Sequence, residues 1–239
     1  MSDGTLIELK EVWKVYQMGE AEVEALRGVS LKIKKGEFVA ITGASGSGKS
    51  TLMHLIGCLD KPTQGTILLE GRNISMMSES KLAEIRGRKI GFIFQQFNLI
   101  PTLNALENVA LPIEFQNNTI DKTKERARKL LEVVGLGDRT HHKPTELSGG
   151  QSQRVAIARS LANDPEIVMA DEPTGNLDSK TGKYIMDFLC ELHEKQGKTV
   201  IMVTHDLELV NFAKRIIKLK DGKIESDTNK HKNRRRKSK

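Results

Sequence analysis

EFVAITGASGSGKSTLMHLIGC, residues 37 to 58, decides how the rest of the chain is read. EFVAIT is a short apolar run of the kind that forms a buried strand. A helix is predicted from about Lys49 to Cys58. Between them GASGSGKST, residues 43 to 51, matches the pattern G-x-x-x-x-G-K-[ST] in the strand–loop–helix setting that the pattern requires. Gly43, Gly46 and Gly48 let backbone N–H groups curl around phosphate oxygens, and the helix start adds the positive end of its dipole. Ala44, Ser45, Ser47 and Thr51 belong to the same cradle. Lys49 is expected to reach the β- and γ-phosphates, and the Ser50 hydroxyl to ligate Mg²⁺. The alternative, a glycine-rich turn that binds nothing, is disfavoured by that setting.

Strands are expected on both sides of this centre. TLIELKEV at 5–12, VSLKIK at 29–34, ILLE at 67–70 and IGFIF at 90–94 read as strands, with a helix near 79–87. From about 97 to 163 the pattern turns helical, through NALENVALP, TKERARKLLEVVGL and QSQRVAIARSLAN. EIVMAD at 166–171 and TVIMVT at 199–204 are buried strands separated by the helix KYIMDFLCELHEK. RIIKLKDGKIES reads as a hairpin turning at Asp221–Gly222. This alternation predicts an α/β fold with a phosphate-loop core: a mostly parallel sheet, an antiparallel β edge layer from the leading strands, and an inserted helical subdomain. The expected organisation is one domain over 1–229, its helical subdomain at about 97–163, and a basic tail at 230–239.

Composition bounds the function. With 239 residues and 38% hydrophobic content the chain can bury one substantial core. No apolar run approaches the ~18 residues of a membrane span. MSDGTLIELK has no signal pattern, so a soluble chain made in the cytoplasm is expected. Cys58 and Cys190 sit in periodic apolar stretches and read as buried thiols. The net charge is +7, and the tail KHKNRRRKSK holds seven Lys and Arg, so the remaining body is neutral. The tail is expected to be a solvated, disordered end. The other reading is weak attraction to anionic lipid or nucleic acid. A neutral body does not offer the basic groove that a nucleic-acid partner needs.

Two further stretches point to chemistry. EIVMADEP ends a buried strand in Asp171 and Glu172, whose side chains point to opposite sides. Asp171 is assigned to Mg²⁺ through its water shell, and Glu172 to the attacking water as general base or orienter. TVIMVTH places His205 at the end of a second buried strand, where it can hydrogen-bond the γ-phosphate or hold the water. LSGGQSQRV, residues 147 to 155, opens an amphipathic helix with Ser148 and two glycines, although glycine is among the worst helix formers. Such a start raises the question of what needs a serine and two bare backbones there. The bland alternative is a glycine-rich N-cap.

GASGSGKST, LSGGQ, EIVMADEPTGNLD and VTH, in that order, resemble the nucleotide-binding subunit of an ABC (ATP-binding cassette) transporter over about residues 5 to 226. The resemblance implies an ATPase that binds ATP with Mg²⁺ and packs head to tail with a second copy of itself. Each ATP then lies between one copy's phosphate loop and the other's signature, where Ser148, Gly149, Gly150 and Gln151 grip the γ-phosphate. It implies that Tyr16, with Trp13 as competitor, stacks on adenine. Gln95, with Gln96 as rival, reaches Mg²⁺, and Asp178 lies in the loop that crosses to the second copy. Ser152 stands where relatives often have glutamine and is expected to matter little. IGCLDKPTQGTILLEG, GFIFQQFNLIPTLNALENV and HHKPTELSGG are similar to the lipoprotein-release and macrolide-efflux group, with the cell-division ATPases close to it. Such relatives drive an integral membrane permease-type subunit from the cytoplasmic face of the cell membrane. The surface from Gln95 to Thr102 would meet that subunit's cytoplasmic helix. The competing class is a soluble ABC ATPase acting on DNA or ribosomes, which usually carries two cassettes or a long coiled-coil insertion. A scaffold that binds ATP without hydrolysing it is disfavoured by Glu172 and His205.

Overall fold

The structure is a computed structural model and describes residues 4–19, 21–116 and 119–229. Along the chain the elements are β1 (Thr5–Met18), β2 (Ala21–Lys34), β3 (Phe38–Thr42), α1 (Lys49–Ile56), β4 (Gln64–Leu69), β5 (Arg72–Asn73), α2 (Glu79–Lys89) and β6 (Ile90–Ile93). They continue with α3 (Ala105–Glu114), α4 (Ile120–Val133), α5 (Gly149–Ser160), β7 (Ile167–Asp171), α6 (Ser179–Gln196), β8 (Thr199–Val203), β9 (Arg215–Lys220) and β10 (Lys223–Asn229). They fall into two compact units. One takes the chain up to Arg86 and from Leu192 onward, the other Gly87–Glu191.

The first unit holds two layers of strand. β3 runs parallel to β8 (Phe38 opposite Val200, Ile41 opposite Val203) and to β9 (Val39 opposite Arg215), and β10 returns antiparallel on β9. Every residue of β3 and β8 is buried, which explains their unbroken apolar sequences. The turn joining β9 to β10 has positive φ at both Asp221 (48°) and Gly222 (75°), as the Asp-Gly pair predicts. The other layer is antiparallel, in the order β2-β1-β4-β5. In β1 the inward residues are Ile7, Leu9 and Val12, so the period of two slips by one. A bulge at Glu11, with φ 46°, takes up the extra residue and keeps Val12 in the core. Arg215 ties the layers together: it donates to the Lys32 carbonyl at 2.7 Å and to Glu37 and Asp227 at 2.8 and 2.7 Å.

The second unit pairs β6 with β7 in parallel, from Ile90–Ile167 to Ile93–Ala170. Its α3, α4 and α5 pack on one another, and α5 also covers β6. Gly91 permits that cover, since a Cβ there would lie 2.2 Å from the Ser160 carbonyl oxygen.

Residues 97–104 are not helical, in contrast to the expectation of helix from about 97. Phe97 and Asn98 take positive φ of 55° and 50°. Asn108, 1% exposed, accepts from the Ile100 amide at 2.8 Å and donates to the carbonyls of Ile100, Leu103 and Asn104. One buried amide therefore shapes the loop, and α3 starts only at the Asn104–Glu107 capping box. β2 begins eight residues before the predicted strand because Ala21–Glu24 are exposed on both faces and show no alternation. Cys58 is buried, its thiol pushed up to about 11 by burial against a small opposing effect of Arg86. Cys190 is only half-buried, which corrects the expectation of two buried thiols. The basic segment 230–239 lies outside the described residues.

Candidate active site

In the first unit β3 ends at Thr42 and the phosphate loop begins. Gly43 has φ 150°, and a Cβ on it would sit 2.3 Å from the Leu219 carbonyl oxygen and 2.5 Å from Ser47 Oγ. Gly48 caps α1 at φ 99°, where a Cβ would sit 2.5 Å from the Ala25 carbonyl oxygen. Both positions demand glycine for close packing as well as for φ. The first turn of α1 has no acidic residue and no side-chain cap, so its leading amides are left for an anion. Lys49 Nζ donates to the carbonyls of Gly43 and Ala44, each at 2.9 Å, and so closes the loop on itself. Ala44, Ser45, Gly46 and Ser50 are exposed, while Ser47 is buried and takes an amide from Gly222 at 3.2 Å through its carbonyl.

Tyr16 stands beside this loop. Its hydroxyl donates to Asp60 Oδ2 at 2.9 Å, and Lys14 Nζ lies 4.8 Å from its ring centre while binding Asp60 Oδ1 at 2.7 Å. Burial and the Asp60 carboxylate raise the phenol, and Thr51 offsets part of that. Burial alone would raise Asp60; Lys14, the Lys61 amide and Tyr16 outweigh it and hold the carboxyl low. Trp13 lies elsewhere, lining a groove with Glu11, Arg27 and Lys223. His205 follows β8. The Thr204 amide donates to Ile41 O at 3.1 Å, so His205 and Gly43 leave the same carboxyl edge of neighbouring parallel strands, where α/β sheets place their ligands.

The second unit carries the other predicted residues. Gln95 follows β6. Its carbonyl accepts from Asn176 Nδ2 at 3.0 Å, and its side chain lies against Gly175, where a Cβ would sit 3.0 Å from Nε2. Asp171 closes β7 and Glu172 follows it at φ 44°, a left-handed backbone rare for a non-glycine residue. The turn after Glu172 is closed by Gly175 N to Glu172 O at 3.1 Å. Asp178 caps α6 by accepting from the Thr181 amide and hydroxyl at 3.0 and 2.7 Å, which holds its carboxyl below the usual range.

The start of α5 answers why two glycines open a helix. Ser148 Oγ accepts from the Gln151 amide at 3.3 Å, and Gln151 Oε1 accepts from the Ser148 amide at 2.8 Å. This reciprocal capping box turns the two polar side chains toward each other. Gly149, exposed, would bring a Cβ no nearer than 3.7 Å to Phe97 Cζ. Gly150 would bring one within 2.7 Å of Thr181 Cγ2, so it is required by packing inside this chain as well. Sequence reasoning gave Gly150 only the ligand role. It also passed over Gln153 and Arg159 of the same helix, which reach the loops at 173 and at 97–98.

A model of the ABC transporter family matches residues 26–175. An uncharacterised ABC transporter ATP-binding protein of Thermotoga maritima is 57% identical over 92% of this chain and 94% of its own. A macrolide export ATP-binding/permease protein of Bdellovibrio bacteriovorus is 54% identical over 93% of this chain but only 34% of its own length. Among solved structures, a dimeric post-hydrolysis state of the ATP-binding cassette MJ0796 bound to ADP and Pi superposes with a TM-score of 0.88 at 51% identity, covering 94% of this chain and 98% of that one. The chain belongs to the ABC transporter family, as an ATP-binding, ATP-hydrolysing cassette with the α/β phosphate-loop fold.

Proposed function

We propose that this chain supplies the power stroke for an integral membrane permease-type partner: two copies close on Mg-ATP and open after hydrolysis. The observation that carries the reading is the presence of two anion-ready helix starts. α1 at Gly48 and α5 at Ser148 each present glycine amides with no acidic residue in the first turn. The first takes the chain's own ATP phosphates, with Lys49. The second grips the γ-phosphate held by the other copy, through Ser148 Oγ and the amides of Gly149 and Gly150. Gln151 acts there by locking Ser148 in place. Tyr16, fixed by Asp60 and Lys14, stacks on adenine.

Ser50 in the first unit, and Gln95 and Asp171 in the second, each offer a hard oxygen donor of the kind that suits Mg²⁺. Held there with the nucleotide, Mg²⁺ would supply neutralisation of charge on the phosphates. Glu172 takes a proton from the attacking water, and His205 donates a hydrogen bond to the γ-phosphate. Asp178 lies in the loop that faces the second copy.

A cavity of about 260 Å³ in the second unit is lined by Phe92, Phe94, Asn98, Pro112, Arg159 and Asn163. It adjoins the loop from Gln95 to Thr102 and suits an apolar helix end, so it is assigned to the cytoplasmic helix of the membrane partner. Among the described residues no helix is long and apolar enough to cross a membrane. The proposed location, on the cytoplasmic face of the membrane, rests on that partner. Purification from native membranes in mild detergent tests this. A co-purifying multi-span protein is expected; recovery only with nucleic acid or ribosomes sinks the reading. Removal of 230–239, which holds none of the nucleotide-binding motifs, is expected to leave hydrolysis within about 2-fold of the intact chain. A large loss would give the tail a role in the cycle.

The two signature glycines separate ligand from packing. Gly149→Ala meets only ordinary contacts, so its melting temperature should hold while ATP-driven dimerisation and hydrolysis fall about 10-fold or more. Retained hydrolysis would remove Gly149 from the ligand shell. Gly150→Ala overpacks Thr181 and is expected to cost about 1–3 kcal/mol of stability besides.

A further inference from the structure

We infer that Gln153 is a positioning residue for Glu172, holding the catalytic turn to the signature helix. The inference rests on the reading of Glu172 as the group that acts on water. Gln153 is on α5, five residues beyond Ser148, and is fully buried. Its Nε2 donates to the carbonyl oxygen of Pro173 at 2.7 Å. That carbonyl belongs to the residue directly after Glu172. Among the described residues Gln153 Oε1 has no hydrogen-bond partner.

A half-satisfied buried amide is expensive, and a leucine or methionine at this helical position would avoid the cost. The one bond it makes must therefore matter where it is made. Glu172 sits at φ 44° and Pro173 has no amide hydrogen, so the backbone here cannot be held by a regular ladder. Bonds that fix the turn include its own closures, Gly175 N to Glu172 O and Leu177 N to Thr174 O, the Asn176–Gln95 bond, and the Gln153–Pro173 bond. The last anchors the peptide next to the carboxylate to a helix. Arg159, six residues further along α5, does the same for the loop after Gln95 by donating to the carbonyls of Phe97 and Asn98. The helix that begins at the signature thus holds the turn behind Glu172 at one point and the loop behind Gln95 at another. Gln153 does not touch substrate; it sets where the carboxylate stands.

The test compares Gln153→Met, which keeps length and loses the donor, with Gln153→Glu, whose buried carboxyl stays protonated near neutral pH and can donate O–H to the same carbonyl. Glu172→Gln runs alongside. For Gln153→Met, kcat for ATP hydrolysis should drop about 10- to 100-fold with KM for ATP unchanged, the cost of a misplaced catalytic group. ATP-dependent dimerisation should persist, and Gln153→Glu should recover most of kcat. Wild-type kcat in Gln153→Met overturns the inference, as does an equal loss in both variants that follows melting temperature. If Gln153→Met does not fold, Gln153→Glu decides. Its kcat should fall as rising pH ionises the new carboxyl opposite the Pro173 oxygen, and a profile parallel to the unmodified chain overturns the proposal. Undiminished hydrolysis by Glu172→Gln would fail the underlying reading instead, a result distinguishable from all of these.

Discussion

Glu172→Gln should lower ATP hydrolysis by at least about 100-fold while leaving nucleotide affinity intact, the size of effect expected when a general base is removed. Glutamine matches the shape of glutamate, so the backbone at φ 44° and the turn closed by Gly175 remain. The uncharged amide no longer takes a proton from water. The closed state, which hydrolysis normally ends, should therefore accumulate, and at millimolar ATP the variant should elute as a dimer. A monomer under those conditions contradicts the sandwich. Continued hydrolysis contradicts the assignment of Glu172.

Lys49→Ala attacks binding itself. The ammonium spans Gly43 O, part-buried, and Ala44 O, exposed, so water can replace it at little cost to stability. With nucleotide the same ammonium meets phosphate oxygens, and charge-assisted bonds of that kind are worth about 1.5–3 kcal/mol. Equilibrium titration should show ATP affinity weakened about 10- to 150-fold with the melting temperature nearly unchanged. Unaltered affinity would remove Lys49 from the site. Read together, the two variants separate steps: one holds ATP and cannot use it, the other cannot hold it.

The phosphate loop was legible because its motif is local, although its bracing is not. A buried strand, nine residues and a helix start are contiguous in sequence, and glycine spacing reports their backbone directly. Asp171 and Glu172 were legible for the same reason, at the end of a strand apolar throughout. What escaped depends on pairs far apart in the chain. Residues 97–104 look helical by composition, yet Asn108 and Arg159 make their carbonyls and amides into a loop. Gln153 looks like an ordinary polar residue on a helix until burial shows that it faces Pro173. Tyr16 gains definition over Trp13 only from Asp60 and Lys14, which no spacing rule connects to it. Gly150 was read as a requirement of the ligand because Thr181, the residue that crowds it, arrives from another element.

The hairpin tip at Gly222 bears on how the protein is made. Its amide bonds Ser47 O, its carbonyl accepts from Arg27, and Leu219 in β9 backs Gly43 at a distance that only glycine tolerates. The phosphate loop at 43–51 is thus braced by residues 219–222, on strands that come much later in the sequence. During synthesis the loop is translated early, and its support arrives only once β9 and β10 have been made. A nascent chain halted before β9 would carry the full motif without the brace behind it.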